Sequence, residues 1–225
     1  RAIDTNIKGA FNVIQSCFDY KVAKVFHPTK PIFKNYWENT YTISKITAEN
    51  FVRMFREVYN MDITVLRWMN ASGPRQHIYP VRKFIPMIIT QSLLGENIEI
   101  YGTGNQTVDV IDVRDIANIA INSTRKGIGK DLSKIYDVGS GHAISCNDVA
   151  EYVLKKTNSK SKINHLPMRV GEALDTKIAA KTHNELLKKI DYQLQYSFED
   201  TMDACIDYMK NLDINYLKKA YNFFK

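Results

Sequence analysis

Residues 41–68 read YTISKITAEN FVRMFREVYN MDITVLRW, and the change of period inside this stretch decides the fold class. From Tyr41 to Tyr59 the residues Ile46, Phe51, Phe55 and Val58 line one side of an amphipathic helix. Ile63 to Trp68 then predicts a strand, ended by the turn cluster Asn70-Ala71-Ser72-Gly73-Pro74. Upstream, Ile7, Ala10, Phe11, Ile14 and Phe18 recur at spacings of three and four and predict a helix over residues 6–20. Val22 to Phe26 predicts a short buried strand, broken by Pro28 and Pro31, which cannot supply ladder donors. Downstream the reading gives a helix from Arg82 to Leu94 and a strand from Ile98 to Tyr101. A strand Val108 to Val113, a helix Arg114 to Ser123 and a strand Ile135 to Val138 come next. A helix Ser145 to Lys156, a strand Ile163 to Leu166 and a mostly helical tail complete the chain. Strands alternating with helices at this spacing imply a parallel sheet with crossover helices, an α/β fold.

Composition narrows the classes that this fold serves. Of 225 residues, 44% are apolar and 24% charged, ordinary globular usage that excludes collagen, coiled coil and disorder as the main answer. No run of about 18 apolar residues exists and the first residues lack a signal-peptide layout, which predicts no membrane association and a cytoplasmic location. Cys17, Cys146 and Cys205 stand far apart, against a disulfide framework or zinc site and in keeping with a reducing compartment. The five histidines never pair at metal-ligand spacing, so no metal is expected. A net charge of +7 is modest and scattered, a weak argument for nucleic acid.

The chemistry starts at Tyr41 and Lys45. On a helix, i and i+4 share a face, so phenol and ammonium point into one cleft. A nearby lysine charge favours the phenolate and is expected to lower the tyrosine pKa toward a useful acid/base value. The same ammonium can hydrogen-bond a ribose. Alone, this spacing is a weak signal in a chain rich in Tyr and Lys.

Seven blocks in order give it context. They are Asn6-Ile7-Lys8-Gly9-Ala10-Phe11-Asn12-Val13, then Tyr41-x-x-Ser44-Lys45-x-x-x-Glu49, then Leu66-Arg67-Trp68-Met69-Asn70-Ala71-Ser72-Gly73-Pro74-Arg75-Gln76. Ile100-Tyr101-Gly102-Thr103-Gly104-Asn105-Gln106 follows, with Asp109-x-x-Asp112-Val113-Arg114-Asp115, Tyr136-Asp137-Val138-Gly139-Ser140-Gly141 and Arg169-Val170-Gly171-Glu172. In this order they resemble the C-terminal two-thirds of an extended short-chain dehydrogenase/reductase, of the NAD-dependent nucleotide-sugar epimerase/dehydratase group. The resemblance covers about residues 2–210.

The resemblance implies a Rossmann-like doubly wound parallel sheet, its N-terminal half absent, with a smaller C-terminal α/β substrate-binding domain. Residues 1–75 would belong to the dinucleotide-binding domain and 76–225 mainly to the substrate domain, with segments around 108–140 returning to the sheet. It implies an enzyme, an NAD(P)-dependent epimerase, dehydratase or reductase acting on a UDP- or dTDP-linked sugar. Tyr41 would be its acid/base, and Lys45 would hold the nicotinamide ribose. Asn6 would buttress the lysine through water as part of the cofactor site, and Thr29 would take the hydroxyl role of a family serine. Asn70 would meet the sugar or its diphosphate, backbone around Ile100 and Tyr101 would pass the nucleobase, Arg169 would bind diphosphate, and Glu172 the nucleoside ribose. The helices Asn6–Tyr20 and Tyr41–Tyr59 would pair two copies as a homodimer.

Two departures mark the substrate pocket. The family's acidic insertion before the tyrosine is missing, the segment reading His27-Pro28-Thr29-Lys30-Pro31, with Lys30 unexpected beside Thr29. The Thr-Asp-Glu trio of glucose 4,6-dehydratases is absent, leaving Glu38 as a substitute. Val108 stands where many members carry an arginine, which shifts anion binding to Arg169 and to Arg75, Arg82 or Lys83. The ten glycines never form G-x-x-G-x-x-G, so the adenosine half of a cofactor site is not encoded in these residues. The competing expectation is a non-catalytic protein that uses the same fold to hold a nucleotide sugar or RNA.

Overall fold

The computed structural model describes residues 1–32, 39–169, 180–181 and 183–225. Its centre is a three-stranded parallel sheet, β1 (Val25–Thr29), β2 (Ile63–Trp68) and β7 (Tyr136–Val138), in the order β1-β2-β7. Val25 faces Ile63 across the first pair and Leu66 faces Tyr136 across the second. β2 presents apolar residues to both faces because it is covered on both, as central parallel strands are. Ile63 and Val65 pack with Ile14, Val52 and Phe55 on one side. Leu66 packs on the other with Tyr136, Val138, Ile119 and Leu186. The period-two alternation places these sets on opposite faces, and the sheet is therefore wound on both sides.

The first face carries α1 (Gly9–Asp19) and α2 (Thr40–Val58). α1 continues a π-helical turn, Ile3–Lys8, in place of the uniform helix expected over 6–20. The core side of α2 is Ala48, Val52 and Phe55, whereas Val58, assigned to that side from the sequence, is 69% exposed. The other face carries α4 (Val113–Arg125) and α6 (His183–Ile190).

Two local expectations are corrected. β1 runs through Pro28 to Thr29 rather than ending before it. Pro28 lies within β1 opposite Leu66 of β2. Asn70–Ser72, expected as a turn, is a short strand, β3, paired in parallel with β6 (Val110–Asp112).

The rest of the chain forms a second core. α3 (Phe84–Leu94), α5 (Cys146–Thr157), α7 (Phe198–Lys210) and α8 (Ile214–Asn222) surround the parallel pair β4 (Ile98–Tyr101) and β9 (Ile163–Leu166). Ile88, Ile98, Ile100, Val153, Met202 and Leu217 fill its centre. The antiparallel pair β5 (Thr107–Val108) and β8 (Ile144–Ser145) borders it. Asp109, between β5 and β6, is fully buried and accepts bonds from the Ser140 amide (2.6 Å), the Ser140 hydroxyl (2.7 Å), the Gly141 amide (3.1 Å) and the Ala180 amide (2.7 Å). The Ser140 and Gly141 amides are thus spent on a carboxylate, which agrees with the reading of Gly139-Ser140-Gly141 as a strand-end turn rather than a phosphate loop. No described helix is long and apolar enough to cross a membrane.

Candidate active site

The carboxyl ends of β1 and β2 open onto a cleft, the place where parallel α/β sheets take ligands. β1 delivers Pro28 and Thr29 to its edge, and β2 and β3 deliver Trp68, Asn70 and Ser72. Asn39 starts α2 by accepting the amides of Tyr41 (2.9 Å) and Thr42 (3.2 Å) with its side chain. That cap fixes the first turn of α2, so Tyr41 and Lys45 both face the cleft. The opposite wall is Lys83 and the start of α3, with Phe84, and the cleft encloses about 530 Å³.

Lys45 donates to the Pro28 carbonyl at 3.0 Å, which ties the helix to the end of β1. Thr29 is buried, and its hydroxyl oxygen has no partner among the described residues. Lys30 donates to the Thr42 hydroxyl at 2.8 Å, and its ammonium stands 5.8 Å from the Tyr41 ring centroid. Burial holds both lysines below the usual ammonium range, with Glu49 opposing the effect at Lys45. Tyr41 is 53% exposed, yet burial of its phenol raises its pKa. This reverses the lowering expected from the sequence. Withdrawal from water penalises the phenolate, and the Lys45 ammonium is engaged by the Pro28 carbonyl.

Asn6 does not line the cleft. Its amide donates to the Ser44 hydroxyl at 2.9 Å, and Ser44 in turn donates to the Tyr41 carbonyl at 2.8 Å. Through Ser44, Asn6 braces the turn that carries Tyr41. It comes from a π-helical segment, a geometry often found at functional sites.

Ile100, Tyr101 and Arg169 are gathered elsewhere. They line a second cavity of about 170 Å³ with Arg82, Gln106 and Cys146. The guanidinium of Arg169 lies 4.6 Å from the Tyr101 ring centroid and that of Arg82 lies 5.3 Å from it. Arg82 also pairs with Glu99 at 2.7 Å. Of the substitutes considered for the missing arginine, Arg82 lines this cavity and Lys83 the larger cleft. Phe84 and Val108 line both chambers and form the partition between them. Trp68 and Phe84 were not singled out in the sequence; Trp68 ends a strand beside Asn70, which was the available signal. Glu172 and Glu38 lie outside the described residues.

A larger depression of about 930 Å³ lies at Ser140, His142, His183 and Tyr192 and shares no lining residue with the cleft. Among the described residues no group of three His, Cys, Asp or Glu side chains is placed to hold a metal ion.

A parallel α/β sheet with a Tyr–Lys helix at its carboxyl edge defines the class, a Rossmann-type fold with its site at the strand ends. The model of the NAD dependent epimerase/dehydratase family matches residues 1–139, more than half of the chain, and the chain belongs to that family. It is 31% identical over 175 residues to the low-salt glycan biosynthesis protein Agl12 of Haloferax volcanii, covering 76% of this chain and 52% of that protein. It is 33% identical over 132 residues to the dTDP-D-glucose 4,6-dehydratase of Bos taurus, covering 56% of this chain and 35% of that one. The solved structure of the epimerase Mth375 from Methanothermobacter thermautotrophicus superposes with a TM-score of 0.86 at 19% identity, covering 96% of this chain and 68% of that chain. The chain thus spans about half the length of the Haloferax relative.

Proposed function

We propose that this chain carries the substrate-transforming part of an NAD(P)-dependent enzyme acting on a nucleotide-diphosphate sugar, UDP- or dTDP-linked. The observation that carries the reading is the convergence of Tyr41, Lys45 and Thr29 in one cleft, beside a second cavity bearing Arg82 and Arg169. A sugar in the first chamber and a nucleoside diphosphate reaching the second use both. Membership of the family and the name of the bovine relative, a dTDP-D-glucose dehydratase, support the same substrate class.

The donor set fits the ribose end of a nicotinamide dinucleotide, because Lys45 and Tyr41 present an ammonium and a phenol to the same space. The redox chemistry, reversible hydride exchange at a sugar carbon, is the dinucleotide's contribution when bound. The chain's own residues do the rest. Tyr41 exchanges a proton with the sugar hydroxyl, and the unpartnered Thr29 hydroxyl bonds the same oxygen and orients it. Lys45 turns from the Pro28 carbonyl to the ribose and lowers the cost of a phenolate at Tyr41. Asn6, through Ser44, keeps the Tyr41 turn in place. Arg169 and Arg82 neutralise diphosphate charge, Asn70 meets the sugar or its diphosphate, and Glu172 meets the nucleoside ribose.

The exposed apolar residues Val13, Tyr20 and Tyr59 on or flanking α1 and α2 support pairing of two copies through these helices. The deciding experiment replaces Tyr41 with Phe. Turnover of the intact enzyme falls by about a hundredfold to ten-thousandfold while nucleotide-sugar binding stays near native. Unchanged turnover removes Tyr41 from the mechanism.

A further inference from the structure

We propose that Asp109 is a positioning residue of the cleft: its buried carboxylate, held by the turn after β7, fixes where Asn70 stands. The inference rests on the nucleotide-sugar reading above and deepens its account of Asn70. Asp109 itself is not among the described lining residues of either chamber.

At Asn70 the chain leaves the central sheet. The Met69 amide still donates to the Val138 carbonyl on β7 at 2.8 Å, and the Asn70 amide donates to the Asp109 carbonyl at 3.0 Å. β3 then runs beside β6, with Asn70 opposite Val110. The side-chain nitrogen of Asn70 turns to the same Asp109 carbonyl, 3.5 Å away. With that end of the amide directed into the protein, the oxygen is the end that Asn70 offers to the cleft.

The carbonyl is a fixed point because the side chain of the same residue is fixed. A carboxylate has about four lone-pair sites, and the four donors from Ser140, Gly141 and Ala180 occupy them. Gly139 lets the turn come this close, since a Cβ there would stand 2.4 Å from the carboxylate oxygen. The end of β7 is thereby tied to the cleft wall through one residue. Val108, its neighbour in the chain, lines both chambers and shares the anchor. Asparagine cannot replace Asp109. Its one oxygen serves the two Ser140 donors, and its nitrogen meets the Gly141 and Ala180 amides, donors facing a donor.

The test is a double-mutant cycle on the intact enzyme, read by calorimetric titration with UDP-glucose and dTDP-glucose. A positioning role predicts dependence, because losing Asp109 weakens binding only while Asn70 is there to be misplaced. Asp109→Asn weakens the sugar nucleotide by about tenfold in the native background and by less than about twofold once Asn70→Ala is present. Ser140→Ala, which removes one donor and keeps the carboxylate, gives the same dependence at about threefold, and it decides the matter if circular dichroism shows Asp109→Asn unfolded. Equal losses with and without Asn70, or no loss at all, overturn the role of Asp109 while the nucleotide-sugar reading stands. Failure of the native enzyme to bind either sugar nucleotide overturns both.

Discussion

The carboxylate of Glu49 on α2 takes two bonds from the Arg67 guanidinium on β2, one of them 3.0 Å from Nε, where both side chains are largely withdrawn from water. The pair pins the middle of the Tyr–Lys helix to the central strand. Removing Glu49 leaves the largely buried Arg67 with only the more distant Asp137 carboxylate, 4.0 Å away, at a cost of about 3 kcal/mol. We expect Glu49→Ala to lose that much in urea unfolding. The double replacement Glu49→Leu with Arg67→Met, which removes both charges and keeps volume, is expected to recover most of it. A single variant as stable as the native chain would show that the pair does not hold the helix.

His27, on β1, supplies an acid-sensitive term. It is buried, its Nε2 has no partner among the described residues, and burial, assisted by the Lys45 charge, pushes its pKa down to about 4. Unfolded, it titrates near 6.5. Between those values the unfolded chain binds more protons, so the contribution is complete above pH 6.5 and is lost as pH falls toward 4. Its full size is about 3 kcal/mol. Native stability is therefore expected to fall across this window, and His27→Phe to flatten the profile. An equally steep acid loss in the variant would place the titration elsewhere.

The helix start is a separate lever. Asn39→Ala removes the acceptor for the Tyr41 and Thr42 amides and is expected to cost about 1 kcal/mol. The same change loosens the turn that aims Tyr41, so turnover is expected to drop more than substrate affinity does. Asn39→Asp, which keeps the acceptor, is expected to restore both. Equal stability and turnover in Asn39→Ala would show that the cap does not position the phenol.

The second cavity gives a binding prediction. Arg169→Ala is expected to weaken UDP binding by about tenfold or more, by removing a charge-assisted contact beside Tyr101. The effect is expected to shrink in high salt, because the lost term is electrostatic. Salt-independent weakening would point to lost stacking on Tyr101 instead.

The sequence carried the sheet and its helices because their periods differ. β2 and β4 fall within the predicted bounds, since Ile63–Trp68 and Ile98–Tyr101 are rich in β-branched and aromatic residues and are closed by turn formers. β3 escaped because Asn70-Ala71-Ser72 looks like a turn and becomes a strand only through its register with Val110–Asp112, far along the chain. For the site, the i, i+4 spacing brought out Tyr41 and Lys45. The electrostatics ran the other way for Tyr41, because burial depends on walls supplied by residues such as Trp68 and Phe84. The approach of Arg82 and Arg169 to one tyrosine ring joins segments separated by most of the second core, and no local pattern signals it.

Phe84 and Val108 divide the two chambers with apolar side chains. Such a divider insulates recognition on one side from recognition on the other. On the proposed reading, a change of charge beside Tyr41 is expected to alter which sugar is accepted without retuning the grip on the nucleotide, and a change beside Tyr101 to do the reverse. On that reading the scaffold can change its substrate one chamber at a time.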